Sequence, residues 1–282
     1  MTTVVFGARG NVGARVTAAL RAAGEDVRPT SRDPERAGLG AGAVAADLTD
    51  PATLPAALAG AEQVFLYAHP EGVDGFVGAA RAAGVRRVVL LSSAALARPG
   101  NEDSPIARRH RAVEEAIEAS GLEWTFLRAG MFATNTRVWA PSIVAAQRVG
   151  LPYPEAQTAP LHEADIAAVA VEALTAGGHA GRAYTLWGPE SLTLREQVAA
   201  IAAAIGRPIA VETVSPDRAS AAMGRTMPEM AVAAILRVWA AGQDRPAEVS
   251  TVVAQVTGRP ARTYVEWARD HADDFRAPKP VP

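Results

Sequence analysis

A doubly wound α/β sheet of parallel strands, followed by a smaller and mostly helical C-terminal region, is the fold class this sequence predicts. Three observations predict it. A glycine loop, Gly7-Ala8-Arg9-Gly10-Asn11-Val12-Gly13, follows an N-terminal β-branched run and opens an alanine-rich helical stretch. Up to Ala129, short apolar runs alternate with helical stretches that end at glycine, the rhythm of βα units around a parallel sheet. Past Ala129 that rhythm breaks, so residues 1–130 read as the sheet-bearing core and 131–282 as a substrate-binding region interwoven with its last strands.

In chain order, strands are expected near Thr3–Phe6, Asp26–Pro29, Val44–Ala46, Gln63–Tyr67, Arg87–Leu91 and Trp124–Leu127. Helices are expected between them near Val12–Ala23, Pro51–Ala59, Val73–Ala83 and Pro105–Ala119. Gly24, Gly60, Gly84 and Gly121 close these helices, where left-handed backbone favours glycine. Asp50-Pro51 and Ser104-Pro105 each put a capping side chain before a proline at the first helical position. From Ala129 to Glu163 the punctuators Pro141, Gly150, Pro152 and Pro154, with Trp139 and Tyr153, suggest loops that build a substrate pocket. A helix near Asp165–Leu174 and a strand near Ala183–Leu186 follow. Thr193 with Glu196, and Thr263 with Glu266, have the spacing of capping boxes that open two further helices. The proline-rich tail from Ala277 is expected to fray.

Composition removes several classes of function. The net charge of −2 comes from scattered charges, which leaves no electrostatic footprint for nucleic acid. With no cysteine, disulfide scaffolds, thiolate metal sites and cysteine nucleophiles are excluded. The N-terminus lacks a basic segment leading into an apolar stretch, and no apolar window approaches the roughly 20 residues that span a bilayer. A cytoplasmic protein without a membrane partner is expected, as a monomer or homodimer.

The glycine loop carries the clearest chemistry. Glycines at i, i+3 and i+6 permit a tight turn, close approach of backbone to a pyrophosphate, and close helix–strand packing, while the helix N-terminus presents N–H groups to phosphate. An ordinary strand-to-helix turn is the alternative. In this fold an acidic residue after the second strand bonds the ribose 2′-hydroxyl of NAD. Here that place holds Thr30-Ser31-Arg32, and Arg9 lies in the loop itself. Two guanidinium forks near one ribose suit a 2′-phosphate, which favours NADPH (NADP) as cofactor. Arg32 could instead be a solvated arginine paired with Asp33. Asp47 and Leu48 follow the third strand, where a carboxylate and an apolar side chain could hold an adenine; Asp47 could equally be a turn residue.

Thr-Ser-Arg at 30–32, Ala-Asp-Leu-Thr-Asp at 46–50, Leu-Ser-Ser at 91–93 and Ser-Gly-Leu-Glu-Trp-Thr-Phe-Leu-Arg at 120–128 join the glycine loop in one pattern. It resembles the NmrA-like group of atypical short-chain dehydrogenase/reductases, which includes NADPH-dependent quinone reductases, benzylic-ether reductases and redox-sensing regulators. The resemblance implies a Rossmann fold and an NADP(H) cofactor. It implies that Gly7, Arg9, Gly10, Asn11, Val12 and Gly13 hold the pyrophosphate and part of the 2′-phosphate, with Ser31 and Arg32 completing that site. Tyr67 and Ala68 would flank the ribose, Ser92 and Ser93 would approach the nicotinamide, and Arg128 would follow at the ligand-binding ends of the strands.

One departure matters. Ordinary short-chain reductases carry Tyr-x-x-x-Lys on the helix after the fifth strand, whereas this chain has His110-Arg111-Ala112-Val113-Glu114 there. His110 and Glu114 stand at i and i+4, so the carboxylate could orient the imidazole and favour its charged form as a proton donor. A charged surface is the alternative, since Arg108, Arg109, Arg111, Glu115 and Glu118 crowd the same helix and Arg111 is spaced to pair with Glu115.

His69, His162, His179 and His271 lack metal-ligand spacing, so no metal is expected. Ser92 and Ser93 lack the Gly-x-Ser-x-Gly elbow of a serine hydrolase. Met227–Trp239, with Met230, Ile235, Leu236 and Trp239, could wall an aromatic-binding pocket or simply pack a core. The function expected is NADPH-dependent reduction of a small hydrophobic quinone, enone or aromatic ketone by hydride transfer. The alternatives are an NADP(H)-sensing regulator and a redox-neutral isomerase or cyclase on the same fold.

Overall fold

The computed structural model describes residues 1–98, 100–101 and 103–277. Up to Gly130 the chain forms β1 (Thr2–Val5), α1 (Asn11–Ala22), β2 (Asp26–Ser31), β3 (Val44–Ala45), α2 (Leu54–Leu58), β4 (Gln63–Tyr67), α3 (Val73–Ala83), β5 (Arg87–Ser93), α4 (Pro105–Ala119) and β6 (Glu123–Ala129). Next come α5 (Ala140–Ala146), β7 (Arg148–Leu151), β8 (Gln157–Thr158), α6 (Glu163–Thr175) and β9 (Arg182–Leu186). The remainder forms β10 (Leu192–Thr193), α7 (Leu194–Ile205), β11 (Ala210–Thr213), α8 (Pro216–Met223), α9 (Glu229–Ala241), α10 (Val252–Thr257) and α11 (Tyr264–Asp270). The chain divides into two compact units, the first made of Met1–Gly130, Glu163–Leu186 and Val252–Pro260.

In this first unit seven parallel strands run in the order β3-β2-β1-β4-β5-β6-β9. Strand order reverses between β1 and β4, which makes the carboxyl ends of those strands the place where an open α/β sheet binds ligands. Strands buried on both faces explain the continuous apolar run Val88-Val89-Leu90, all fully buried. One face is sealed by Leu54 and Leu58 of α2, Phe76 and Ala80 of α3, and Val113 and Ile117 of α4. α1 packs against α6. The predicted strands all form, and Gly24, Gly60, Gly84 and Gly121 all take positive φ, from 67° to 79°. The expected helix from Pro51 begins instead as a 3-10 turn, with Leu54 N–H donating to the Pro51 carbonyl, before α2. Pro55 explains this, because it has no N–H to give that carbonyl.

The second unit is Met131–His162, Trp187–Thr251 and Ala261–Pro282. Two small sheets, β8 with β10 antiparallel and β7 with β11 parallel, flank a core from Trp139, Ile143, Val149, Val198, Ile201, Trp267 and Phe275. Both expected capping boxes form reciprocally, at Thr193 with Glu196 and Thr263 with Glu266. The stretch expected to be loops between Ala129 and Glu163 is a correction. It holds a 3-10 turn at Ala133–Trp139, then α5, β7 and β8. Pro141 sits in the first turn of α5, where a missing N–H costs nothing, and Gly150 lies inside β7. A Cβ on Gly150 would come 3.0 Å from the Val214 side chain, so this glycine answers packing rather than a turn. Beyond Ala277 the proline-rich tail lies outside the described residues.

Candidate functional site

The glycine loop joins β1 to α1, and each of its glycines has a different reason to be there. Gly7 has φ 69°, in the left-handed region, and a Cβ on it would meet the Tyr67 ring at 2.9 Å. Gly10 N–H donates to the Gly7 carbonyl at 2.8 Å, closing the turn. A Cβ on Gly13 would lie 2.3 Å from the Gly7 carbonyl oxygen, so only glycine permits this approach; at Gly10 the same measure is a tolerable 3.2 Å. Gly10 is the N-cap of α1 and supplies no side-chain cap, and the first turn carries no acidic residue. The first intrahelical bond is Ala14 N–H to Gly10 C=O, which leaves the amides of Asn11, Val12 and Gly13 facing out at the positive end of the helix. Val12 is buried, so its part here is its backbone. These features fit a dinucleotide pyrophosphate.

At the neighbouring strand ends, Arg9 and Arg32 are exposed and neither makes an ion pair among the described residues. Asp33 does not pair with Arg32: its carboxylate accepts the Arg36 N–H at 3.0 Å, and its own N–H donates to Ser31 Oγ at 3.0 Å. Asp47 Oδ1 accepts from Thr49 N–H at 2.9 Å and Thr49 Oγ1 at 2.8 Å. These bonds, and then the charges of Arg32 and His69, hold the Asp47 carboxyl below its ordinary range. Burial, followed by the charge of Asp47, pushes the Tyr67 phenol up, while Arg32 pulls the other way. Arg32, Asp47, Tyr67 and His69 therefore share one electrostatic neighbourhood, with Ala68 between the two rings in sequence. His69, which lacks metal-ligand spacing, precedes the 3-10 turn Pro70–Gly72 as its N-cap residue, and its place two residues after Tyr67, beyond the end of β4, is what brings it to this end of the sheet. Leu48 is a correction. Its side chain lies in the main core, so it offers an adenine only backbone.

The ends of β5 and β6 hold a buried cluster that the sequence read as three unrelated residues. Ser92 pairs in register with Arg128, and α4 sets Glu114 over both. Ser92 Oγ donates to Glu114 Oε1 at 2.6 Å, and Arg128 reaches the carboxylate with Nε at 3.1 Å and Nη2 at 2.6 Å. Glu114 is 4% exposed, and its bonds to Arg128 hold the guanidinium above its ordinary pKa. Three donors thus occupy both oxygens of the carboxylate. Ser92 is buried with its proton committed. Ser93 is half-buried; its Oγ accepts the Ala95 N–H at 3.2 Å and keeps a proton to donate.

The expected His110–Glu114 couple is a second correction. His110 Nδ1 sits 2.9 Å from the Ile106 carbonyl, one turn back, and Glu114 spends its oxygens on Ser92 and Arg128. A carbonyl can only accept, so Nδ1 carries the hydrogen and Nε2 of the neutral ring is bare. Burial lowers the His110 pKa from 6.5, outweighing the opposing pull of the Ile106 bond and the Glu114 charge. The ring is therefore a neutral acceptor, not a ready imidazolium donor. The charged-surface reading fails for Glu114 too, while Arg111 and Glu115 are exposed without an ion pair among the described residues.

A parallel sheet with this strand order, a naked helix N-terminus behind three glycines, and two exposed arginines, Arg9 and Arg32, without an ion pair among the described residues define a dinucleotide-binding protein. Residues 7–177 match a family described as NAD(P)H-binding. Over 279 residues the chain is 41% identical to the (4-alkanoyl-5-oxo-2,5-dihydrofuran-3-yl)methyl phosphate reductase of Streptomyces griseus, covering 96% of this chain and 98% of that one. It is 36% identical to the NAD(P)H azoreductase of Xenophilus azovorans, covering 97% and 99%. The crystal structure of an NADPH-dependent quinone oxidoreductase from Escherichia coli, complexed with NADPH, superposes with a TM-score of 0.79 at 24% identity, covering 95% of this chain and 99% of that one. The chain belongs to the family described as NAD(P)H-binding. It is an NAD(P)H-dependent oxidoreductase of small molecules. Among the described residues no helix is long and apolar enough to cross a membrane.

Proposed function

We propose that the chain is an NADPH-dependent reductase of a hydrophobic, electron-poor conjugated molecule such as a quinone, enone or aromatic ketone. The observation that carries the preference for NADPH is the pair of uncommitted arginines, Arg9 and Arg32, beside a helix N-terminus with no cap. In this reading the amides of Asn11, Val12 and Gly13 take the pyrophosphate, and Gly7 and Gly10 let the backbone approach it. Arg9, Ser31 and Arg32 take the 2′-phosphate. Asp47 and the Leu48 backbone meet the adenine, and Tyr67 and Ala68 flank the ribose. Ser93 has the free proton that Ser92 lacks, so Ser93 is the hydroxyl offered to the nicotinamide end. Glu114 and Arg128, with Ser92, fix the ends of β5 and β6 on which that hydroxyl stands.

When bound, the reduced nicotinamide supplies the hydride. The alkanoyl-oxo-dihydrofuran and azo groups in the relatives' names are, like quinones, conjugated and electron-poor. Their reduction needs a hydride first and a proton second, and His110, being neutral, leaves that proton to water or Ser93. The test is NADPH oxidation by the purified chain against quinones, enones, azo dyes and aromatic ketones. Turnover on at least one class, faster with NADPH than NADH, is the expected result. Tight NADPH binding with no turnover on any of them would replace this reading with that of a cofactor sensor.

A further inference from the structure

The second unit contains a cavity of about 380 Å³, within the ~300–1,000 Å³ common to small-molecule sites. β7 and β11 supply Val149 and Glu212, α8 supplies Met223, and α9 supplies Trp239. Trp139, Val149, Val214, Met223 and Trp239 make its apolar wall. The two indoles lie with centroids 6.2 Å apart, tilted by 43°, a broad surface for a flexible chain. Trp239 thus belongs both to the core and to a pocket wall, the two roles between which the sequence left the Met227–Trp239 stretch undecided.

The charged lining is lopsided. Arg148, Arg218 and Arg225 face one carboxylate, Glu212. Arg148 is committed, with Nη1 2.9 Å from Glu212 Oε1 across the parallel pair β7–β11. Arg218, on α8, and Arg225, just past its end, are exposed and make no ion pair among the described residues. Arg218 and Ala222, four residues apart on α8, both line the cavity, and Arg225 joins them from two residues beyond the last residue of that helix. One guanidinium fork is satisfied by the two oxygens of a carboxylate. Two free forks beside one apolar cavity call for a head with more charge and more oxygens.

We propose that this cavity binds a phosphate monoester with an apolar tail, the tail against Trp139 and Trp239 and the dianionic head held by Arg218 and Arg225. The proposal is separate from the reductase reading, because its test measures binding and not turnover. Calorimetric titration of the full chain with octyl phosphate should give saturable binding. Octanoate, octanol and inorganic phosphate should each bind at least about tenfold more weakly, since octanol lacks the charge, inorganic phosphate lacks the tail, and octanoate can satisfy only one of the two guanidinium forks. The Arg218→Ala/Arg225→Ala variant should lose about ten- to hundredfold in affinity for octyl phosphate. Both side chains are exposed, so this variant should stay folded and keep its NADPH affinity. Ala222→Phe, which fills the cavity and leaves both arginines, should weaken octyl phosphate as well. Unchanged binding in either variant would overturn the site, and octanoate binding as tightly as octyl phosphate would overturn the phosphate assignment.

Discussion

Arg128 and Arg32 stand at the carboxyl ends of two strands of one sheet and illustrate opposite uses of the same side chain. Arg128 is held by a buried carboxylate through two parallel hydrogen bonds. Arg32 sits among Asp47, Tyr67 and His69, and its sequence neighbour Asp33 turns away to cap a backbone amide. A guanidinium that has met its carboxylate in the fold is part of the fold, whereas one kept clear of its neighbouring acid is available to a ligand. Position in the sheet does not separate the two cases; the fate of the nearest carboxylate does.

Removing a partner from each arginine's surroundings tests that contrast. Glu114→Ala should have the larger effect, because it strands the Arg128 charge and the Ser92 hydroxyl beside an apolar core. Breaking a fully buried pair costs about 3–5 kcal/mol, and partial exposure of Arg128 places the expected loss near 3 kcal/mol. Urea unfolding should register it as a lower midpoint with an unchanged slope. Glu114→Leu combined with Arg128→Met should recover most of the loss, since no charge is then left alone. If Glu114→Ala were neutral, the cluster would contribute nothing to the fold and Arg128 would return to the list of ligand-binding groups.

Arg32→Ala should do the reverse, leaving stability within about 0.5 kcal/mol of the parent while weakening NADPH by about ten- to hundredfold. NADH, with no 2′-phosphate, should bind the variant as it binds the parent. Fluorescence titration of both cofactors would check this, and equal losses for the two would show that Arg32 serves the loop and not the phosphate. Higher salt should erode NADPH affinity in the parent more than in the variant.

How far the sequence could be read follows the same division between local and distant causes. The strands of the first unit were legible because short runs rich in β-branched or apolar residues alternate with helical stretches closed by glycine, and Gly24, Gly84 and Gly121 take the left-handed backbone that their positions announced. The glycine loop was legible because its three requirements are local. β8 and β10 were not, since two residues carry no periodicity and those strands exist only through each other. Gly150 and Pro141 read as loop punctuation but serve, respectively, a close approach by Val214 and the start of α5. In the site, spacing on one helix suggested His110 with Glu114, yet the carboxylate's partners came from β5 and β6, and only the folded sheet places Ser92 beside Arg128. Separations of 22 and 14 residues along the chain leave no trace in a helical pattern.

His110 carries the smallest expected effect and the sharpest sign. Burial lowers its folded pKa below the 6.5 of the free side chain. The unfolded chain therefore takes up a proton at a higher pH than the folded one does, and stability must fall as the pH is lowered from about 6.5 through the folded value. Above that window both states hold a neutral ring, and the group adds no pH dependence. His110→Ala should flatten this part of the stability profile between neutral and mildly acidic pH. Its turnover at neutral pH should stay within about threefold of the parent, well short of the roughly 10²–10⁴ loss that follows removal of a general acid. A profile with the same acid slope in the variant would mean that another group sets it. A hundredfold fall in turnover with intact NADPH binding would mean that the imidazole picks up a proton in the working complex despite its burial, and that the i, i+4 carboxylate at Glu114, although already bound by Arg128, still supplies the charge that makes this possible.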